Sequence, residues 1–286
     1  MKVSIIGVGD MGRDIAVHVK NKGHDVTAYD ISQQRRSDAV GMGINVVDSL
    51  AEATAGAEVH LVIVATDEQS ETVTREILAS GDAGSIVVIL ATNSPVTMQR
   101  LSEECEAKGF GFVDAPVVFG RQGAKQGTLG SLCGGVEEQV AKITPVLDAY
   151  SKAVHHVGPV GAGQVAKACN NMLHWAACVA NFEVLSLAKR YGVDAQRMRE
   201  ILTQCPGTNG TLERWDDTRF TWHEKDMDVA LTLSQDGDLP LPLFGQVDQL
   251  VKLLDAQKVK ALLYGPEAEY LGKPIKPMSK SEGGLN

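Results

Sequence analysis

Three clusters in this 286-residue chain have the residue types and spacing that chemistry needs. The first is Gly7-Val8-Gly9-Asp10-Met11-Gly12, a G-x-G-x-x-G run between an apolar stretch and an amphipathic one. In such a run the first glycine permits a tight turn and the second lets an anion approach the backbone. The third lets helix and strand pack closely, with the anion on the helix N-terminus. Asp30 follows Gly12 by 18 residues and ends the next strand-like segment. A carboxylate there suits the hydroxyls of an adenosine ribose. The pair reads as a dinucleotide site. A carboxylate at position 30 repels a 2′-phosphate, so NAD is the expected cofactor. NADP stays open if Arg35 or Arg36 reaches that phosphate, although a solvated helix face is the preferred reading of both.

The second cluster is Asp114-Ala115-Pro116-Val117-Val118-Phe119-Gly120-Arg121, a glycine-bearing loop after an apolar run. Open doubly wound sheets bind ligands beyond the carboxyl ends of their strands, and this loop follows such an end. The third is Lys167 with Asn170 and Asn171, just beyond the breaker run Gly158-Pro159-Val160-Gly161-Ala162-Gly163. Lys167 and Asn171 are four residues apart and share one helix face. A lysine and a carboxamide so placed can manage the proton of one hydroxyl.

The elements that must position these residues alternate regularly in the first half. Strands are expected at Lys2–Gly7, Asp25–Asp30, Glu58–Ala65, Ser85–Ala91 and Phe110–Asp114. Helices are expected at Gly12–Asn21, Gln33–Met42, Glu68–Ala79 and Val96–Ala107. Continuous apolar runs such as LVIVA and IVVILA mark strands covered on both faces, hence an α/β, Rossmann-type doubly wound sheet. After residue 158 the strand pattern largely vanishes. One long helix over Gln164–Arg190 is followed by helical stretches at Ala195–Gln204, around Thr211–Asp216, at Lys225–Ser234 and at Leu243–Gln257. The tail after Pro274 reads as loose. The expected organisation is an NAD-binding domain over residues 1–157 and an all-α substrate and oligomerisation domain over 158–286, joined by the long helix. That helix carries apolar positions on more than one face, which predicts a homodimer or homotetramer.

Composition narrows the function class. A formal net charge of −9 lacks the basic field that nucleic acid or a membrane surface requires. The apolar runs are far shorter than the roughly 20 residues of a membrane span, and no secretory leader is read at the N-terminus. Five cysteines show no pairing and no metal-ligand spacing, so no metal is expected and a cytoplasmic setting is the default.

Together the clusters resemble the β-hydroxyacid dehydrogenase family over nearly the whole chain. The matching motifs are Gly7–Gly12 with Met11, the DAPV…G..GA..GTL stretch from Asp114 to Leu129, Gly161 to Asn171, and Lys225-Asp226. Ala91-Thr92-Asn93-Ser94-Pro95 is similar to the family's Ser-Thr-x-x-Pro loop, with Ala in place of Ser. The resemblance implies Lys167 as the catalytic acid/base, Asn171 as a substrate holder, and Ala65, Thr66, Thr92 and Lys225 on the cofactor side. It also implies substrate contacts from Val118, Phe119, Gly120 and Arg121. Family members acting on small hydroxyacids usually carry Ser-Gly where this chain has Val118-Phe119. That exchange removes a hydroxyl donor and adds a ring, which points to a bulkier, even aromatic, substrate. The alternatives are an imine reductase-like enzyme, which usually lacks the lysine, and a catalytically silent dinucleotide sensor.

Overall fold

The computed structural model describes residues 1–285. The chain divides into two compact units, Met1–Lys167 and the segment from Ala168 onward. In the first, strands and helices follow in the order β1 (Lys2–Ile6), α1 (Asp10–Asn21), β2 (Asp25–Tyr29), α2 (Gln33–Gly41), β3 (Asn45–Val46) and α3 (Leu50–Thr54). Next come β4 (Val59–Val62), α4 (Asp67–Ser80), β5 (Ile86–Ile89), α5 (Pro95–Ala107) and β6 (Gly111–Asp114). The unit continues with β7 (Val117–Val118), α6 (Gly120–Gln126), β8 (Leu129–Gly135), α7 (Glu137–Leu147) and β9 (Ser151–Gly158). The sheet order is β3-β2-β1-β4-β5-β6-β8-β7, with β9 pairing β8. From β3 to β6 every pairing is parallel, while β8 runs antiparallel to β6 and β7.

Strand side chains alternate between faces, and the core follows that period. Ile5, Leu61, Val88 and Val113 pack into one apolar cluster, and Ile6, Val62, Val87 and Ile89 into another. The five expected strands are present with tighter ends. Strands β7 to β9 extend the sheet beyond residue 114, where the sequence reading stopped. Their sequences, LGSLCGG and SKAVHHVG in β8 and β9, lack the continuous apolar runs of a parallel sheet's centre. Connections run 1→2→3 to one side of β1 and on to β4 at the other. The chain therefore reverses direction at β1/β4, which opens a crevice at the carboxyl ends of those strands.

The long helix α8 (Ala162–Arg190) begins two residues earlier than expected and carries the chain from the first unit into the second. The second unit adds α9 (Ala195–Leu202), α10 (Gly210–Glu213), α11 (His223–Asp236), α12 (Pro242–Val251) and α13 (Ala256–Tyr264). A hairpin of β10 (Ala268–Tyr270) and β11 (Lys273–Ile275) follows. The helical character is as expected, but the single helix read over Leu243–Gln257 is two. Asp255 caps α13 by accepting the Lys258 N–H at 2.8 Å, and its extended backbone breaks the run. The tail is not loose either as far as Leu285, the last described residue; Asn286 lies outside the described residues. Met278 N–H donates to the Arg190 carbonyl, Leu285 N–H to that of Tyr191, and the Arg190 guanidinium to Lys276 O. The core of this unit includes Trp175, Cys178, Phe182 and Leu185 of α8 with Trp215, Met227, Val251 and Leu262. Trp175 and Trp215 pack there as expected, whereas Trp222 is 61% exposed.

Candidate active site

The glycine loop leaves β1 and enters α1 in the geometry that its residue types require. Gly7 has φ = 100°, and a Cβ on it would lie 2.2 Å from the Ile63 carbonyl oxygen. A Cβ on Gly12 would lie 2.0 Å from Gly7 O, so the third glycine sets the helix–strand approach. Gly9 differs from both. A Cβ there would meet nothing closer than the Arg35 guanidinium at 3.8 Å, and no side chain caps the helix that Gly9 starts. The loop thus leaves open space beside Gly9, before a twelve-residue helix whose first amides need acceptors. Those features fit a dinucleotide pyrophosphate.

Asp30 is buried beside the loop. Its Oδ2 accepts the Val8 N–H at 3.0 Å and its Oδ1 accepts the Ser32 N–H at 2.8 Å. Arg35 and Arg36, expected on a solvated face, both turn toward it. Arg35 Nη1 stands 3.7 Å from Asp30 Oδ2, and Arg36 Nη1 donates to the Asp30 carbonyl at 2.8 Å. Asp10 opens α1 between two guanidiniums, Arg13 at 3.2 Å and Arg121 at 2.6 Å. Arg121, expected among the substrate contacts, is therefore engaged at the glycine loop.

The other cofactor-side residues of the first unit also follow strand ends. Thr66 caps α4 after β4, and the Ala65 N–H donates to Gln69 Oε1 at 2.9 Å. Thr92 follows β5 in a loop whose neighbour Asn93 is fully buried. The Asn93 amide donates to Asp67 Oδ1 at 2.8 Å, and its oxygen accepts the Ser70 hydroxyl at 3.1 Å. Lys225 lies in the first turn of α11 in the second unit, where the adjacent Asp226 accepts the Trp175 indole N–H at 3.0 Å.

After β6, Val117 and Val118 pair with Ser131 and Gly130 of β8. Phe119 then adopts φ = 78°, a left-handed conformation that a glycine takes without cost. Gly120, also left-handed, opens α6. The Phe119 ring packs toward Gly130 of β8, with Lys152 Nζ 4.0 Å from its centroid. The phenyl ring thus lies against the β8–β9 side of the loop.

Lys167 is half-buried in the second turn of α8, and Asn171 is buried one turn further on. Asn170 donates to Asn171 Oδ1 at 3.2 Å. The first turn of α8 is bonded to the sheet through Asp114 and Gln164. Neither was among the expected site residues, because their partners lie 47 to 73 positions away.

Residues 2–158 match the family model for the NAD-binding domain of 6-phosphogluconate dehydrogenase. Residues 161–262 match that for the NAD-binding domain of NADP-dependent 3-hydroxyisobutyrate dehydrogenase. The chain belongs to the β-hydroxyacid dehydrogenase family. The 3-hydroxyisobutyrate dehydrogenase of Pseudomonas aeruginosa is 32% identical over 222 residues, covering 75% of this chain and 73% of that protein. The 2-(hydroxymethyl)glutarate dehydrogenase of Eubacterium barkeri is 27% identical over 264 residues, covering 87% and 88%. A solved structure of the Mycobacterium tuberculosis 3-hydroxyisobutyrate dehydrogenase with L-serine superimposes with a TM-score of 0.82 at 25% identity, covering 92% of this chain and 99% of that one. Two imine reductases share the fold at 16% and 18% identity. As a member of this family the chain is an NAD(P)-dependent dehydrogenase acting on CH–OH groups. Among the described residues no helix is long and apolar enough to cross a membrane.

Proposed function

We propose that this β-hydroxyacid dehydrogenase family member oxidises the hydroxymethyl group of an acid HOCH2–CHR–COO⁻ to the aldehyde, with NAD as acceptor and Lys167 as general base. The compounds named with its relatives, 3-hydroxyisobutyrate, 2-(hydroxymethyl)glutarate and L-serine, share that skeleton and differ only in R. The observation that carries the reading is the place of Lys167. It follows, by less than a helical turn, a residue bonded to the loop after β5, where Thr92 stands. When bound, the nicotinamide supplies the acceptor for the carbinol C–H as hydride. The chain's own work is to take up the hydroxyl proton at Lys167 Nζ and to hold the substrate through Asn171. The free pKa of a lysine is about 10.4, so the amine must be made available by desolvation once the substrate covers it. In the reverse direction the ammonium returns the proton to the developing alkoxide.

Asp30 supports NAD over NADP, since its buried carboxylate opposes a 2′-phosphate. Val118 in place of a serine supports a larger, more apolar R, because a short acid loses one donor to its carboxylate. Arg121, held by Asp10, supports a role toward the cofactor phosphates more than toward substrate. A homodimer or homotetramer is supported by α8, where Leu173, Ala180 and Leu187 recur at seven-residue spacing with Val184 between the last two, all exposed. Such a seam on one helix face suits a second copy of the same helix.

The test is a set of 2-substituted 3-hydroxypropanoates assayed by NADH absorbance, on the natural sequence and on Lys167→Ala. The expected result is turnover that rises with the size of R. Loss of the general base should cost about 10²–10⁴-fold in kcat, with NADH affinity unchanged. Wild-type kcat in the alanine variant would overturn the mechanism.

A further inference from the structure

Asp114 ends β6 and is fully buried, and its carboxylate is divided over the start of α8. The Gly161 N–H donates to Oδ1 at 2.7 Å and the Gln164 N–H to Oδ2 at 3.0 Å. The surrounding space admits nothing larger. A Cβ on Gly134 would lie 2.5 Å from Oδ1, and a Cβ on Gly163 would lie 2.6 Å from Oδ2. Two glycines thus leave room for one carboxylate and no more.

Gln164 continues the connection from the same turn. Its Nε2 donates to the Ala91 carbonyl at 2.9 Å, and its Oε1 accepts the Asn93 N–H at 3.0 Å. Asp67 closes the far side, accepting from the Asn93 amide at 2.8 Å and the Ser94 N–H at 2.9 Å. The carboxyl ends of β5 and β6, the start of α4 and the first turn of α8 are therefore one hydrogen-bonded body. An ordinary helix cap comes from the residue just before the helix and fixes the helix only to the adjacent segment. Here the acceptor comes from another strand, so it fixes the helix to the sheet.

We infer that Asp114 and Gln164 are positioning residues, which together set the roll and depth of the first turn of α8 and so the place of Lys167 Nζ. A helix advances about 1.5 Å and turns about 100° per residue, so a small slip of this turn moves a side chain three positions along by an ångström or more. Bonds on two sides of the helix start, one set from β6 and one from the β5 loop, block both motions. Burial pushes the Asp114 carboxyl up to about 6, consistent with a group that lacks solvent and relies on the amides of α8. The inference rests on Lys167 acting on the substrate hydroxyl, as proposed above.

The experiment compares the natural sequence with Asp114→Asn and Gln164→Leu, by kinetics and by amide hydrogen exchange without cofactor. Asparagine keeps the shape but turns a donor toward one of the two amides. The expected result is a kcat lowered by about 10–100-fold in Asp114→Asn, the scale of an ångström's misplacement, and by less in Gln164→Leu. KM for NAD should stay within about twofold. Exchange should accelerate for the amides of Gly161 to Lys167 and not for those beyond Asn171. A lower melting temperature with unchanged kcat per folded molecule, or unchanged exchange in the first turn, overturns the inference. If Asp114→Asn does not fold, Gln164→Leu carries the same split between kcat and KM. If instead the natural sequence oxidises no hydroxyacid, the functional reading fails while exchange still judges the anchor.

Discussion

Buried polar groups serve different ends in the two units. In the sheet unit, Asp30, Asp114 and Gln164 gather beyond the strand ends and accept from the backbone amides of loops and helix starts. In the helical unit they join helix to helix. Lys189 Nζ of α8 donates to Leu262 O at 3.0 Å near the end of α13, and Arg199 of α9 donates to the carbonyls of Leu212 and Glu213. Asn181 and Asn209 exchange amide bonds, and Trp175 reaches Asp226. The reason lies in the backbone. Strands fix one another by pairing their own N–H and C=O groups, which frees polar side chains to shape loops. Helices satisfy their backbones internally, so only side chains can tell one helix where the next one stands.

Arg199 gives that contrast its most demanding test. Its guanidinium is buried and also meets Asp216 Oδ1 at 2.8 Å. Arg199→Met leaves two carbonyls and a carboxylate short of a donor, and the expected loss is about 3–5 kcal/mol, read as a lower urea midpoint. A loss under about 1 kcal/mol would mean that apolar packing alone orders these helices.

The same contrast explains what the sequence revealed. Central strands announce themselves by local apolar runs, and the glycine loop by local spacing, so β1, β2, β4, β5 and β6 and the candidate dinucleotide site were legible. The anchor at Asp114 was not, because its meaning depends on amides 47 and 50 residues later. The ordered tail was hidden for the same reason: Met278 and Leu285 find their acceptors at Arg190 and Tyr191. Strand β9 was missed because exposed edge positions such as His155 and His156 give it no apolar signature. The break between α12 and α13 was the exception. Asp255 is a local cap, and an N-cap reading at that residue would have found it.

A second, smaller effect separates two buried titratable groups of the sheet unit. His60 lies between the hydroxyls of Ser4 and Ser85, and burial pushes it from 6.5 down to about 4. Unfolding then takes up a proton, so its contribution is present above pH 6.5 and is lost as pH falls through 4. Asp114, raised by burial from 3.8 to about 6, does the opposite. Its contribution is full below 3.8 and is lost as pH rises through 6. Between pH 4 and 6 the two slopes oppose, each at most about 1.4 kcal/mol per pH unit. Asp114→Asn should therefore show stability rising more steeply with pH over that range than the natural sequence does. Urea unfolding at a series of pH values checks it, and equal slopes would contradict the upward shift of Asp114.

The smallest effect belongs to the loop after β7. Val118→Ser with Phe119→Gly restores a hydroxyl and relieves a left-handed phenylalanine. The ratio of kcat/KM for a short acid over a bulky one should move toward the short acid by about tenfold, or about 1.4 kcal/mol. Melting temperature should change little, because about 1–2 kcal/mol of backbone strain is relieved while the ring's packing against Gly130 and Lys152 is lost. An unmoved ratio would place specificity elsewhere.

Asp30 has a consequence for redesign of the cofactor preference. The carboxylate that would choose between the two dinucleotides also fastens the glycine loop, through Val8 on one oxygen and Ser32 on the other. Exchange for serine removes the charge and the brace together, so a gain for NADP would be offset by a looser phosphate cradle. Asparagine is gentler: it drops the charge and keeps an oxygen for the Val8 amide, while its NH2 displaces the acceptor of the Ser32 N–H. With Arg35 already 3.7 Å from that position, the shortest route from one cofactor to the other removes the charge, keeps the brace at Val8 and gives up the one at Ser32.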